Sequence, residues 1–137
     1  MFKWREAFSC NIAEIDKQHH HLFEVGARLH TMASNKSNYD KYDEIISILE
    51  ELKQYTIQHF EYEEKLMKEN NFPGYELHKM EHDFFVKKIQ RIERKDLEGA
   101  QNEAVLEIIS FVADWVSSHI LKTDMEYKEF FNNLGIV

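Results

Sequence analysis

Histidine and acidic side chains recur in this sequence at spacings that place them together on helix faces. His59 and Glu63 are four residues apart, as are His78 and His82. Side chains four residues apart are neighbours on a helix surface, so each pair could hold one metal ion. The further candidates for the same chemistry stand apart in the sequence and are His19, His119 and Asp124. The pattern predicts a metal site built by several helices.

Four long amphipathic segments carry these residues. Apolar residues recur in them at i, i+3, i+4 and i+7, which is the helical period. Cap and breaker residues predict a first helix after Asp16 that ends at Ser34 to Asn38, a second from Tyr39 to Glu69, a third from Tyr75 to about Arg94, and a fourth after a connection at Lys95 to Gly99. Thr123 to Glu126 has the pattern of a capping box and predicts a short last helix through about Asn132.

These segments predict an all-α fold, an up-down-up-down antiparallel four-helix bundle with an N-terminal arm and a short C-terminal helix. At 137 residues we expect a single domain over 1–137. Four Gly and one Pro disfavour a many-stranded sheet sandwich, which needs many tight turns. The only cysteine, Cys10, excludes an internal disulfide and a cysteine-based zinc or iron–sulfur site.

Charge and hydropathy exclude other classes of partner. The formal net charge is −8, whereas nucleic acids and anionic membranes are usually met by a basic patch. No apolar run approaches the ~20 residues that span a bilayer. The first residues lack the apolar core of a signal peptide. We therefore expect a cytoplasmic protein without nucleic-acid or membrane partners, and the sequence does not identify a protein partner.

The apolar face of each predicted helix contains at least one candidate ligand. His19 begins the face of the first helix, the second contains His59 and Glu63, the third contains His78 and His82, and in the fourth His119 follows Val105, Ile108, Val112 and Trp115. Antiparallel neighbours bring all six candidates to one end of the bundle. An ionised glutamate buried alone would cost several kcal/mol, so Glu63 requires partners there.

Asp124 reaches this end only if the fourth helix ends or bends after His119. On a continuous helix five residues turn through about 500°, which leaves Asp124 ~140° away from the face of His119. The capping box at Thr123 predicts such a break, and Asp124 then becomes a seventh ligand.

Other side chains near the pattern receive structural interpretations. His20 and His21 lie about 100° and 200° around the helix from the candidate ligand before them, so they face other helices or solvent. His30 lies ~16 Å along the axis, beyond reach of the same metal. Glu64 points about 100° away from its neighbour and is interpreted as a solvated or helix-packing charge. Cys10 is interpreted as a small packed residue.

The number and type of ligands favour two metal ions. Five imidazoles and two carboxylates exceed the four ligands of a structural zinc site, and His-x-x-x-Glu differs from the HExxH of zinc proteases. The paired Glu-x-x-His of ferritin-like di-iron proteins does not occur. Seven ligands suit two ions that share the carboxylates as bridges. A histidine-rich site favours iron used for O2 chemistry, while the donors are also compatible with copper or manganese.

Along nearly its whole length the chain resembles the hemerythrin family, specifically the single-domain bacterial hemerythrins. The matching segments are Ile15-Asp16-Lys17-Gln18-His19 followed by Leu22-Phe23, His59-Phe60-Glu61-Tyr62-Glu63-Glu64 followed by Met67, His78-x-x-x-His82, and Trp115-x-x-x-His119-Ile120-x-x-x-Asp124. Each segment alone is weak evidence for the resemblance, but the order and spacing of all four segments together are specific to the family.

The resemblance implies reversible O2 binding at a non-haem di-iron centre, for oxygen storage, delivery or sensing. It implies that one iron is held by His78, His82 and His119, and that the other is held by His19 and His59 with one position left open. Glu63 and Asp124, together with an oxo or hydroxo group, would bridge the two ions, which alternate between Fe²⁺ and Fe³⁺.

Apolar residues on the same faces are candidates for the wall of an O2 pocket around the open position. They are Phe23, Phe60, Met67, Trp115, Val116 and Ile120. A dry pocket without an extra acid would favour release of O2 over its reduction. We therefore expect a protein that is not an enzyme. The alternative is a di-iron oxidase, or a peroxide or NO reductase, that uses the same ligands.

Overall fold

The computed structural model describes residues 2–34, 42–91 and 102–137. Their helices are α1 (Ala13–Ser34), α2 (Tyr42–Glu69), α3 (Tyr75–Gln90), α4 (Asn102–His119) and α5 (Met125–Asn133). A 3₁₀ turn, Glu6–Phe8, precedes α1, and a π-helical turn, Ile120–Asp124, connects α4 to α5. The predicted start of the second helix at Tyr39, the third helix beyond Arg91 and the Lys95-to-Gly99 connection lie outside the described residues.

Neighbouring helices run antiparallel. His19 near the start of α1 contacts His59 near the end of α2, with 3.0 Å between their Nε2 atoms. Further along α1, Arg28 pairs with Glu51, which comes earlier in α2, at 3.2 Å. Helix α1 also packs on α4, and α2 packs on α3. The predicted four-helix bundle is therefore confirmed.

The core lies on the predicted faces, with one difference in α4. Along α1 the predicted residues Leu22, Gly26, Leu29 and Ala33 are all buried. In α4 the buried positions include Ile109 and Val116, whereas Ile108 and Trp115 are only partly buried. The inward face of α4 is thus rotated relative to the prediction, and the partly buried ring of Trp115 lies against Phe85 of α3, with 4.1 Å between ring centroids.

The predicted start of the first helix is wrong, because α1 begins at Ala13 and Asp16 already lies in its first turn. The carboxylate of Asp16 accepts hydrogen bonds from the backbone N–H of Cys10 at 2.8 Å and from Ser9 Oγ at 2.6 Å. Asp16 therefore satisfies donors of the preceding arm instead of acting as the N-cap of α1. Within the described ranges, no helix combines the length and apolar character needed to cross a membrane.

The predicted N-terminal arm packs along α1. Phe2 and Phe8 are buried, and the rings of both lie against Phe23. Gly26 makes this approach possible, because a Cβ atom at this position would lie 2.3 Å from the ring of Phe2. The arm thereby covers the face of α1 that also carries a candidate metal ligand one turn before Phe23.

We expect Gly26→Ala to lower the free energy of unfolding by about 1–3 kcal/mol, as overpacking does in a filled core. Chemical denaturation measures this difference. In a Phe2→Ala background the ring is gone, so the same substitution should cost nothing or stabilise α1 through the better helix propensity of alanine. An equal loss in both backgrounds would contradict the contact.

Candidate metal centre

The structure brings all seven candidate ligands together in the interior of one end of the bundle. Each of them is between 0% and 4% exposed. His19 and His59 approach from α1 and α2, and the Nε2 atoms of His82 and His119 lie 2.9 Å apart between α3 and α4. The full set is His19, His59, Glu63, His78, His82, His119 and Asp124.

Glu63 lies between histidines of three helices. Its Oε1 contacts His59 Nε2 and is 3.3 Å from His19 Nε2. Its Oε2 is 3.3 Å from His78 Nε2. The carboxylate thus faces the donors of α1 and α2 with one oxygen and those of α3 with the other.

Asp124 is placed in a similar way. Its Oδ1 is 2.9 Å from His78 Nε2 and 3.0 Å from His119 Nε2. Its Oδ2 is 3.3 Å from His19 Nε2. Both carboxylates therefore present separate oxygens to two sets of imidazoles, which is the arrangement of a bridging ligand.

The candidate ligand atoms form two groups that share both carboxylates, and within each group the atoms lie within 4.8 Å of one another. The five-donor group consists of Glu63, His78, His82, His119 and Asp124. The four-donor group consists of His19, His59, Glu63 and Asp124. The geometry thus provides two adjacent positions for metal ions.

Asp124 reaches the cluster through the π-helical turn, not through a helix break. The predicted capping box at Thr123 is wrong: the chain stays helical at Asp124, with φ −66° and ψ −31°. The hydroxyl of Thr123 donates to the carboxylate of Glu81 at 2.8 Å instead of capping α5. Hydrogen bonding from i to i+5 brings residues five apart onto one face of the helix. Asp124 therefore lies on the same face as His119, five residues before it.

Three of the five imidazoles also hold an acceptor at the ring nitrogen that faces away from the centre. Nδ1 donates to Gln18 Oε1 at 2.6 Å in His59, to Glu64 Oε2 at 2.9 Å in His82, and to Glu81 Oε1 at 3.3 Å in His119. Carboxylate oxygens and the amide oxygen of Gln18 only accept hydrogen bonds, so the proton resides on Nδ1 and Nε2 presents a lone pair to the centre.

Sequence reasoning missed these three acceptors. Glu64, predicted to be a solvated or helix-packing charge, packs against α3, where it pairs with Lys79 at 3.6 Å, but the prediction missed its hydrogen bond with His82. Gln18, Glu64 and Glu81 each adjoin a candidate ligand in the sequence, yet each bonds a histidine of the next helix. In the sequence, the only indication of these acceptors was a polar residue directly beside a candidate ligand.

The donor set fits bound metal ions. Nε2 of His82 and Nε2 of His119 face each other at 2.9 Å with both ring protons on the opposite nitrogens. Two nitrogens bound to one ion at ~2.1 Å and at a right angle would lie about 3.0 Å apart. Within the described part of the chain, Glu63 Oε2, His78 Nε2 and both Asp124 carboxylate oxygens are buried without a hydrogen-bond partner. A cation supplies the partner that these atoms lack.

The electrostatics keep the two carboxylates charged. Burial alone would raise the pKa of Glu63 and of Asp124, but the surrounding imidazoles lower both pKa values below their usual range. Burial alone would lower the pKa of His19 and of His78, but close contact with the charged carboxylates of Asp124 and Glu63 raises these pKa values to about 9 and about 10. A metal ion that binds here therefore displaces protons from these two imidazoles.

The other histidines lie away from the cluster, as predicted. His20 stacks on Trp4 with 3.8 Å between ring centroids, and His21 packs on Tyr55 at 4.3 Å. His30 belongs to neither donor group. Cys10 is fully buried, as expected of a packed residue, and burial raises the pKa of its thiol well above the usual range.

The residues predicted to wall an O2 pocket divide between two apolar clusters. The larger buried cluster contains Phe23, Phe60, Val116 and Ile120, with Trp115 packed against it. Phe60 stacks on the ring of His82 at 3.8 Å, and Trp115 stacks on that of His119 at 4.7 Å. Met67 differs, because it is buried in a second cluster with Cys10 and residues that include Tyr127.

Comparison with known proteins gives one consistent result. The family model described as "Hemerythrin HHE cation binding domain" matches residues 10–131. A bacteriohemerythrin of Clostridium acetobutylicum is 36% identical over 93% of this chain and 98% of its own. A hemerythrin-like protein of Naegleria gruberi is 32% identical over 93% of this chain and 91% of its own. A crystal structure of wild-type hemerythrin superposes with a TM-score of 0.81 at 30% identity, covering 93% of this chain and 95% of that one.

Proposed function

Because the chain belongs to the hemerythrin family, it binds O2 at a non-haem di-iron centre, and we propose that the seven clustered residues are the ligands of that centre. His78, His82 and His119 hold one iron, and His19 and His59 hold the other. Glu63 and Asp124 bridge the two ions together with an oxo or hydroxo group. This assignment follows the motif positions that the chain shares with the family.

One observation carries the proposal: the two donor groups share both carboxylates and differ by one protein donor. The four-donor group therefore leaves more of its ion's coordination shell for an external ligand than the five-donor group does. We propose that O2 binds on the side of His19 and His59.

Apolar side chains surround the proposed O2 position and limit which reactions can occur at it. When bound, the iron pair supplies the electrons with which this family takes up O2. Phe23 lies one helical turn after His19 and belongs to the same buried cluster as Phe60, Val116 and Ile120. These apolar side chains exclude water from the proposed pocket, whereas Met67 packs in the other cluster. Exclusion of water favours reversible binding over reactions that consume protons.

The proposed role is non-enzymatic O2 binding for storage, delivery or sensing. The apolar lining supports this choice over an oxidase or a peroxide or NO reductase, because such an enzyme needs a proton supply at the open position. A cytoplasmic location stays a prediction from the sequence.

Metal analysis and absorption spectroscopy test the proposal. Anaerobically reduced protein should contain two irons per chain and should gain a visible absorption band when O2 is admitted. The band should disappear when O2 is removed and return in later cycles. Zinc, a single iron, or continuous turnover with a reductant would contradict reversible di-iron binding.

A further inference from the structure

The acceptors behind the imidazoles differ in charge between the two donor groups. In the five-donor group, His82 and His119 donate to the carboxylates of Glu64 and Glu81. In the four-donor group, His59 donates to the neutral amide oxygen of Gln18. Each group also has one imidazole, His19 or His78, whose Nδ1 is buried without a hydrogen-bond partner within the described residues. Within the described residues, a carboxylate that accepts a hydrogen bond from a ligand imidazole is therefore found only in the five-donor group. An oxygen of Asp16 lies within 4.8 Å of a ring nitrogen of His19 in the four-donor group, but it makes no hydrogen bond to that ring.

Of the two carboxylates, Glu64 has the larger electrostatic effect on its imidazole. Its side chain is 17% exposed and its Oε2 lies 2.9 Å from His82 Nδ1, whereas Glu81 is 47% exposed and 3.3 Å from His119 Nδ1. Solvent screens the charge of Glu81 more than that of Glu64. Lys79 approaches the other oxygen of Glu64 at 3.6 Å, which leaves Oε2 to the imidazole.

A carboxylate that accepts a hydrogen bond from Nδ1–H of an imidazole makes the Nε2 atom of that ring a better donor to its metal ion. A better donor stabilises the more positive oxidation state of that ion. An amide acceptor such as Gln18 orients its imidazole without adding this negative charge.

We propose that Glu64 is a positioning residue that acts through His82 and makes the five-donor group the one whose iron is oxidised first. Glu81 acts in the same direction through His119, with a smaller effect. Gln18 orients His59 while leaving the iron of the four-donor group easier to keep reduced. This inference rests on the ligand assignment under the proposed function.

The test is a redox titration of the iron-loaded protein and its Glu64→Gln variant. The amide in this variant retains an oxygen acceptor but loses the charge, so both irons should be retained. The midpoint potential of the first one-electron oxidation should shift to more positive values. Glu64→Ala removes the acceptor as well, and iron affinity should fall about tenfold or more.

Glu61→Gln is the matched control, since it removes the same charge from an exposed position of α2 three residues away. Gln18→Glu is the reciprocal variant and should shift the second oxidation to more negative values. A shift in Glu64→Gln no larger than in Glu61→Gln, with two irons bound, would overturn the inference. Failure of the proposed function is recognised separately, because the unmodified protein would then lack two irons or two successive oxidations.

Discussion

Glu63→Ala is expected to remove both iron ions, reducing the iron content from two per chain to nearly none. Glu63 contributes to both donor groups from α2, and it faces His19, His59 and His78. In the proposed assignment, its loss leaves each ion one ligand short and removes one of the two carboxylate bridges. It also leaves protonated imidazoles buried without their partner, which costs about 3–5 kcal/mol in a buried pair. Metal analysis after anaerobic reconstitution, with circular dichroism as a check on folding, measures the effect.

Two further variants keep this result interpretable. Glu63→Gln preserves the size and one oxygen of the side chain, so the helices should remain folded while iron binding is still strongly reduced. Glu61→Ala changes an exposed glutamate of the same helix and should retain both irons. Two irons and a normal O2 spectrum in Glu63→Ala would disprove the bridging role.

His78→Ala is expected to lose the iron of the five-donor group or the whole cluster, whereas His30→Ala should retain two irons. His78 Nε2 lies 3.3 Å from Glu63 and 2.9 Å from Asp124, so its removal opens the centre between the two carboxylates. Its ring also stacks on Tyr127 with 5.5 Å between centroids, so a cavity of one imidazole would remain. Iron per chain and the visible spectrum with O2 distinguish the two variants.

His30 is the matched control because it lies on α1, on the helix face that carries His19, but away from the cluster. Its replacement should leave the iron content within error of the unmodified protein. Equal loss of iron in the two variants would mean that the metal ligands cannot be identified from their helix face and their position along the helix axis. Free imidazole added to His78→Ala offers a further check, since it should restore part of the iron if only a donor is missing.

The amino-acid sequence determined which residues meet. Helical periodicity is a local property, so the spacing of His59 and Glu63, and of His78 and His82, placed each pair on one face before any tertiary contact was known. Antiparallel packing of neighbours then set their common height, and the structure places all seven candidates together. Periodicity likewise separated His20, His21 and His30 from the cluster.

Only the tertiary structure decided how the chain completes the centre. Capping-box residues at Thr123 predicted a break, whereas the folded chain widens one turn and directs Thr123 to Glu81 of another helix. Gln18, Glu64 and Glu81 received their partners in the same way, from histidines of neighbouring helices. A helical period specifies the direction of a side chain relative to its own axis. What that side chain contacts depends on the rotation of the adjacent helix, which is determined only when the helices pack.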